Sequence, residues 1–173
     1  MTTIARTFAQ AYGWFSRLAS TAQSPLLLLV RLYWGWQFMQ AGWGKLHNLA
    51  HVAQFFTTLG IPAPGPTALF VACVEFFGGV FLILGLASRL TGLVLTGNML
   101  VAYVTAEREA LLSVFSDPGT FYQALPFTFL LAALLVLIFG PGCFSLDTLI
   151  ARLYSAQESE GERAPQPAQK NAA

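Results

Sequence analysis

The sequence is poor in charged residues. Of its 173 residues, 10% are Asp, Glu, Lys or Arg, whereas a soluble globular domain carries about 25%. The formal net charge is +1, so the chain offers no basic surface for nucleic acid. Hydrophobic residues make up 55% of the chain and the mean hydropathy is +0.60. These values exclude a nucleic-acid-binding protein and predict a protein of the lipid bilayer.

Cysteine and histidine are scarce as well. Cys73 and Cys143 lie too far apart in sequence for a CxxC redox or zinc pattern, and two cysteines make no disulfide framework, so we expect both to be small apolar packing residues. His47 and His51 have a spacing that would place two imidazoles on one helical face, but two ligands are too few for a metal site. Both histidines also lie on one segment, which excludes a haem held between two helices. We therefore expect no metal or haem to be bound by this chain alone.

The hydrophobic residues are gathered into four long segments. A bilayer core about 30 Å thick requires a helix of roughly 20 apolar residues. The predicted spans are about 25–46, 67–86, 90–106 and 121–139. Ser24 is the predicted N-cap of the first span, with Pro25 in its first turn. The predicted fold is all-α: an integral membrane four-helix bundle within a domain 24–153.

The two ends of the chain have a different character. Within residues 1–23, apolar and polar side chains fall on opposite helical faces, which predicts an interfacial amphipathic helix. The apolar face consists of Ile4, Phe8, Ala11, Phe15 and Leu18. Residues 154–173 are polar and lack apolar periodicity, which predicts a disordered cytoplasmic tail. Between the first two spans, Val52, Phe55, Phe56 and Leu59 predict a short surface helix that ends near Gly60.

Basic residues near the span ends predict the topology. Arg6, Arg17, Arg89 and Arg152 fall on one side of a four-span protein, whereas Lys45 and Arg108 fall on the other. Because cytoplasmic loops carry the excess of Lys and Arg, both termini are predicted to be cytoplasmic.

Several polar residues interrupt the predicted spans. In the first span, the spacing of four and three residues places one set on a single helical face: Arg31, Gly35, Phe38, Gly42 and Lys45. In the second span, another set shares a face: Glu75, Gly78, Leu82 and Gly85. A charge at the bilayer centre costs about 2.5 to 3.5 kcal/mol on insertion scales, so Glu75 requires a partner.

Helix geometry predicts which groups meet. Arg31, Glu75 and Asn98 are expected to form a buried cluster across three helices, with Gln37 as a further member. Lys45 is expected near the outer end of its helix, where Glu107 could pair with it. Two interpretations remain open: an ion pair that fixes the helix register, and a site for a substrate, proton or cofactor.

A set of motifs recurs in order along residues 24–153. After the glycines and charges of the first span come Leu59, Gly60 and Pro62, then "VEFFGGVFLILGLASRLTGL", and finally "GPGCFSLD", which ends at Asp147. This order resembles the DoxX family of small four-helix bacterial inner-membrane proteins. The family is similar to the small subunits of thiosulfate:quinone oxidoreductase, to membrane components of thiol and sulfur redox homeostasis, and to maturation factors for secreted redox or metal-binding peptides. The resemblance implies a bacterial inner membrane and a quinone-linked redox setting.

The leading functional hypothesis is a membrane subunit of a quinone-linked oxidoreductase system, with other redox subunits or further copies of itself as partners. The quinone site is predicted at Arg31, Gln37, Lys45, Glu75 and Asn98. The aromatic side chains that could flank the ring are Trp34, Trp36, Phe38 and Trp43. The alternative is a noncatalytic scaffold or assembly factor in which the same cluster only holds the bundle. A small-solute transporter is disfavoured because no internal repeat is evident.

Overall fold

The structure is a computed structural model that describes the backbone of residues 3–163 and the side chains of residues 10–155. Its regular secondary structure is helical throughout this range, which confirms the all-α class. The helices are α1 Thr3–His47, α2 Leu49–Thr58, α3 Pro64–Leu84, α4 Ser88–Thr105, α5 Arg108–Leu112, α6 Pro118–Gln123, α7 Pro126–Phe139 and α8 Leu146–Arg163.

Helix α1 is longer than predicted. It runs without a break through Pro25, so Ser24 is an interior residue and not an N-cap. Proline removes one backbone hydrogen bond, but the leucine-rich segment that follows it favours helix strongly enough to continue the turn. The placement of residues 1–23 on the membrane surface stays a prediction. The side chains of Ile4 and Phe8, which belong to the predicted apolar face, lie outside the described range.

Among the described helices, α3 alone is both long and apolar enough to cross a membrane by length and composition. Helix α7 is strongly apolar but has 14 residues, which extend about 21 Å at 1.5 Å per residue. Helix α4 carries serine, threonine and asparagine among its apolar residues. The all-helical fold is therefore confirmed, and the four-span membrane bundle stays a prediction.

Helices α1 and α3 pack closely in antiparallel register. A Cβ atom added to Gly42 would lie 2.7 Å from the carbonyl oxygen of Ala72, and one added to Gly35 would lie 2.9 Å from that of Gly79. Only glycine permits such close approach of two backbones. These contacts confirm that the first-span face carrying Gly35 and Gly42 is turned towards the protein. They also fix which residues of α1 and α3 lie side by side.

The core is formed mainly by α1, α3, α4 and α7. Helix α4 approaches α7 at Gly92, where an added Cβ would lie 3.1 Å from the carbonyl oxygen of Ala133. The buried cluster between these helices is apolar: Phe38, Leu82, Leu95, Met99, Ala133 and Val136.

Two peripheral segments test further predictions. Helix α2 matches the predicted short helix, and the chain turns after it at Gly60, which has a φ of 70°. Helix α8 continues to Arg163, so residues 154–163 are helical where disorder was predicted. Its apolar residues recur every three or four positions, and Ala, Gln, Glu and Arg favour helix beyond them. Residues 164–173 of the predicted tail lie outside the described residues.

Candidate functional site

A buried carboxylate lies in the middle of α3. Glu75 is 4% exposed and forms an ion pair with Lys45 of α1. Its other carboxylate oxygen accepts a hydrogen bond of 3.2 Å from Nδ2 of Asn98 on α4. We call Lys45, Glu75 and Asn98 the polar cluster. It joins three helices around one negative charge.

The local packing positions each member of the polar cluster. Gly42 lets α1 approach α3 near Ala72 and Phe76, and Lys45 lies one helical turn further along the same face of α1. Its side chain therefore reaches Glu75 and stays 31% exposed, while that of Glu75 is 5% exposed. The cluster is therefore buried at Glu75 and partly exposed along the side chain of Lys45.

Arg31 lies elsewhere. Its guanidinium donates to four backbone carbonyl groups: from Nε to Leu82 at 2.9 Å, from Nη2 to Ile83 at 3.2 Å, and from Nη1 to Pro141 at 2.5 Å and Phe144 at 3.0 Å. Arg31 is 1% exposed. It satisfies the last carbonyls of α3 and ties them to the turn between α7 and α8.

The predicted contact between Arg31 and Glu75 is therefore wrong. Arg31 precedes Lys45 by 14 residues, which is about 21 Å along a helix, and the α1–α3 register places it beside the end of α3. The predicted pairing of Lys45 with Glu107 is also wrong, because Lys45 pairs with Glu75. The predicted meeting of Glu75 with Asn98 is confirmed.

A second carboxylate completes the arrangement around Arg31. Asp147 accepts hydrogen bonds from the backbone N–H groups of Ala87 at 2.7 Å and Ser88 at 2.8 Å, at the start of α4. Its own N–H donates to the carbonyl of Gly85 at 3.0 Å. A carboxylate at a helix N-terminus is favoured by the free N–H groups and the helix dipole. We call Arg31 and Asp147 the end clamp, because together they join α1, α3, α4 and α8.

The remaining predicted site residues are separated from the polar cluster. Gln37 is half-buried, and its Nε2 donates to the hydroxyl of Tyr33 on the same helix at 3.3 Å. Of the four aromatic candidates, Phe38 is fully buried and packs with Phe129 at 4.7 Å between ring centroids. Trp34 also packs on Phe129, at 5.1 Å.

The other two aromatic candidates lie at the surface. Trp36 and Trp43 are about half exposed. Trp43 lies against His47 in a tilted arrangement, with ring centroids 4.2 Å apart and an interplanar angle of 53°. Trp43 is the predicted aromatic residue nearest to Lys45 in sequence.

His47 and His51 are exposed, and their region holds no third ligand. Among the described residues, no group of three His, Cys, Asp or Glu side chains could hold a metal ion. Cys143 is exposed, in contrast to the predicted packing role, and its Sγ accepts a hydrogen bond of 3.2 Å from the hydroxyl of Ser24. Cys73 is half-buried.

An apolar groove of about 230 Å³ lies between α3 and α4. Its lining residues are Val74, Phe77, Gly78, Phe81, Ala87, Leu90, Thr91, Val94 and Leu95. Val94 lies one helical turn from Asn98, and Gly78 lies one turn from Glu75. The groove therefore approaches the polar cluster along two helices. Its hydroxyl group, on Thr91, donates to the carbonyl of Leu86, in the connection between α3 and α4, at 3.3 Å.

The glycines of α1 and α3 are a sequence signal for the Lys45–Glu75 pair. Gly35, Gly42 and Gly79 allow close backbone contact, and aligning them in antiparallel helices places Lys45 near the middle of α3. The end clamp also had a signal in Asp147, which follows "GPGCFSL" directly.

Comparison with known proteins places the chain among related sequences. The family model for DoxX matches residues 26–108. "Inner membrane protein YqjF" of Escherichia coli (strain K12) is 31% identical over 125 residues, which cover 72% of this chain and 91% of that protein. "Putative oxidoreductase CatD" of Bacillus subtilis (strain 168) is 31% identical over 83 residues, which cover 48% of this chain and 60% of that protein. No solved structure matches the chain significantly.

Proposed function

This chain belongs to the DoxX family of membrane proteins, and we propose that it is a multi-pass inner-membrane subunit of a quinone-linked redox system. The polar cluster of Lys45, Glu75 and Asn98 is the proposed ligand site. The observation that carries the proposal is a carboxylate 4% exposed in the middle of an apolar helix. Ionisable groups in such positions mark substrate, proton or cofactor sites in membrane proteins.

The hydrogen-bonding capacity of the cluster fits a quinone head group. The ammonium group of Lys45 has three N–H donors, and its bond to Glu75 uses one. The amide of Asn98 has two N–H donors, and its bond to Glu75 also uses one. Each side chain therefore keeps a donor for a ligand carbonyl. Lys45 is accessible enough to receive that ligand.

Glu75 has a different role in this proposal. A quinone, when bound, supplies two-electron redox chemistry and takes up two protons on reduction. Glu75 can hold and transfer a proton at its carboxylate, because that group lies beside both remaining donors. Lys45 pairs with the carboxylate, and Asn98 orients it.

The groove between α3 and α4 supports a ligand that arrives from the membrane. Its lining is almost wholly apolar, and Phe77, Leu90 and Val94 are exposed along it. A lipid-soluble molecule can occupy such a groove with its polar end at Asn98 and Glu75, one turn further along each helix. The word oxidoreductase in the name of CatD supports a redox setting.

The orientation and partners belong to the same proposal. Four membrane-crossing segments, with both termini in the cytoplasm, are consistent with Arg89 and Arg152 lying near the clamped end of the bundle. The name of the YqjF relative supports an inner-membrane location. Catalytic redox subunits or further copies of the chain are the proposed partners, and a flavin or metal centre would belong to such a subunit.

Purification from the native membrane tests the proposed function. The tagged protein is isolated in mild detergent, its lipid-soluble molecules are extracted and identified by mass spectrometry, and its partners are identified in parallel. We expect a quinone at near one per chain in the wild type and its loss in Asn98→Leu. The control is Leu100→Asn, which changes an exposed position of the same helix. Equal quinone content in both variants would refute the ligand site.

A noncatalytic scaffold is the second candidate. Both carboxylate oxygens of Glu75 already have protein partners, on α1 and α4, and such a network can serve only to fix the helix register. Under this function, partner proteins would still copurify with Asn98→Leu, and the wild type would contain no bound quinone. The same purification therefore separates the two candidates.

A further inference from the structure

Helix α8 presents an apolar face that the bundle leaves uncovered. Leu149 is 52% exposed and Tyr154 is 68% exposed, and both Ile150 and Leu153 between them are exposed as well. At 100° per residue, these side chains and Leu146 fall within an arc of about 140°. Ala151 and Ser155 lie on the opposite side. Helix α8 is therefore amphipathic over its described side chains.

The position of α8 is fixed at its first turn. The N–H of Asp147 donates to Gly85, and its carboxylate accepts from Ala87 and Ser88. The hydroxyl of Ser145 accepts from the N–H of Thr148 at 3.1 Å, which caps the helix. Because the end clamp anchors α8 in this way, its apolar face has a defined orientation relative to the bundle.

The exposed apolar surface is continuous along the chain. Phe139 at the end of α7 is 52% exposed, Phe144 in the turn is 60% exposed, and Leu146 begins α8. Helix α7 is strongly apolar, and in the proposed four-span arrangement its exposed side chains face lipid. The surface that begins at Phe139 thus leads from the lipid-facing side of α7 onto α8.

The charge on α8 fits the edge of a bilayer. Arg152 is exposed and lies about 60° from Leu149 around the helix, beside the apolar arc. An arginine in this position can extend along the apolar surface and place its guanidinium among lipid phosphates.

We propose that α8 lies along the surface of the membrane, with its apolar face in the boundary between head groups and acyl chains and Arg152 at the phosphates. The partner is the bilayer itself. This inference goes beyond the proposed function, since it holds for a redox subunit and for a scaffold alike. In this placement the end clamp has a structural role: Arg31 and Asp147 hold α8 at the depth in the membrane where the spans end.

Site-directed spin labelling tests this placement in the full chain. Cys73→Ser and Cys143→Ser remove the native thiols, and single cysteines are introduced by Leu149→Cys and Leu153→Cys on the apolar face. The matched controls on the other face are Ala151→Cys and Ser155→Cys. All four positions are exposed, so the fold tolerates the labels; size-exclusion profiles verify this. The protein is reconstituted into vesicles of phosphatidylethanolamine and phosphatidylglycerol.

The expected result is a several-fold higher ratio of oxygen to nickel-chelate accessibility at Leu149 and Leu153 than at Ala151 and Ser155. Equal ratios at all four positions would place α8 in water and overturn the proposal. Labels at Leu149 and Leu153 that neither reagent reaches would place a protein on this face, either a second copy or another subunit, and would overturn it as well.

Discussion

Lys45 and Glu75, thirty residues apart in sequence, form an ion pair between α1 and α3 in the middle of an apolar helix. The pair exists because Gly42 allows the two backbones to approach near Ala72. Lys45 and Arg31, both on α1, therefore have different surroundings. Lys45 faces a carboxylate and keeps free N–H donors, whereas Arg31 is bonded to backbone carbonyls.

A double-mutant cycle measures the coupling of this pair. Lys45→Met and Glu75→Gln are each expected to lower the free energy of unfolding by about 1 to 3 kcal/mol, because each leaves a buried or half-buried polar group without its partner. The double variant is expected to lose less than the sum. Glu109→Gln, at an exposed position, removes the same charge and serves as control. Additive losses measured by thermal melting in detergent would show that the two side chains act independently.

Arg31 is expected to be a residue of stability and not of ligand binding. Arg31→Ala leaves four carbonyl groups without their donor, and Arg31→Lys replaces a planar group of five donors by one that cannot reach all four. We expect the free energy of unfolding to fall by about 3 to 5 kcal/mol in Arg31→Ala and by about 1 to 3 kcal/mol in Arg31→Lys. Arg17→Lys, at an exposed site of α1, is the matched control. A melting temperature of Arg31→Lys equal to that of the wild type would contradict the end clamp.

Gly42 sets the distance between α1 and α3. In Gly42→Ala the new Cβ would lie 2.7 Å from the carbonyl oxygen of Ala72, so the helices must separate at a cost of about 1 to 3 kcal/mol. Gly44→Ala is the matched control, since its Cβ would meet no atom within 4 Å. The free energy of unfolding of Gly44→Ala is expected to rise by about 0.5 to 1 kcal/mol, because alanine favours helix more than glycine does. Equal melting temperatures of the two variants would contradict the close packing.

Because of the groove between α3 and α4, we expect the effect of a groove substitution on affinity to depend on whether the ligand has an apolar tail. Val94→Trp fills the groove one turn from Asn98 and is expected to weaken binding of decyl-ubiquinone while leaving that of the tailless 2,3-dimethoxy-5-methyl-benzoquinone unchanged. Val101→Trp, exposed on the same helix outside the groove, is the control. Affinities are measured in nanodiscs of one lipid composition. For each ligand, partitioning into the bilayer is then the same for Val94→Trp and Val101→Trp and cancels when the two variants are compared. Equal weakening of both ligands would show that Val94→Trp disturbs the head-group site.

The sequence predicted the faces of the helices well. The predicted contact face of the first span is buried at Arg31 and Phe38, and the second-span face is buried at Glu75 and Leu82. Periodicity defines a face because each residue adds 100° regardless of tertiary contacts. The predicted family resemblance is also confirmed by the comparisons.

The partners of the charges could not be read from periodicity. Pairing depends on the axial register of two helices, and a slide of one turn moves a side chain by about 5.4 Å. Long arginine and lysine side chains then reach different neighbours, so Arg31 reached Leu82 and Ile83 while Lys45 reached Glu75. The pattern of side chains in a sequence does not indicate that the backbone carbonyls at the end of α3 accept hydrogen bonds from Arg31. For the same reason, the role of Asp147 emerges only when the ends of α3 and α4 are seen beside it.

The most direct test of the ligand site is the affinity for decyl-ubiquinone, measured by titration of the wild type and Glu75→Gln in nanodiscs. Glutamine keeps the shape of the side chain and can still accept from Asn98, but it cannot hold the proton or pair with Lys45. We expect the dissociation constant of Glu75→Gln to rise at least about tenfold, which corresponds to about 1.4 kcal/mol, and that of Glu109→Gln to stay at the wild-type value. Equal affinities of wild type and Glu75→Gln, both correctly folded, would contradict the assignment of the polar cluster as the quinone site.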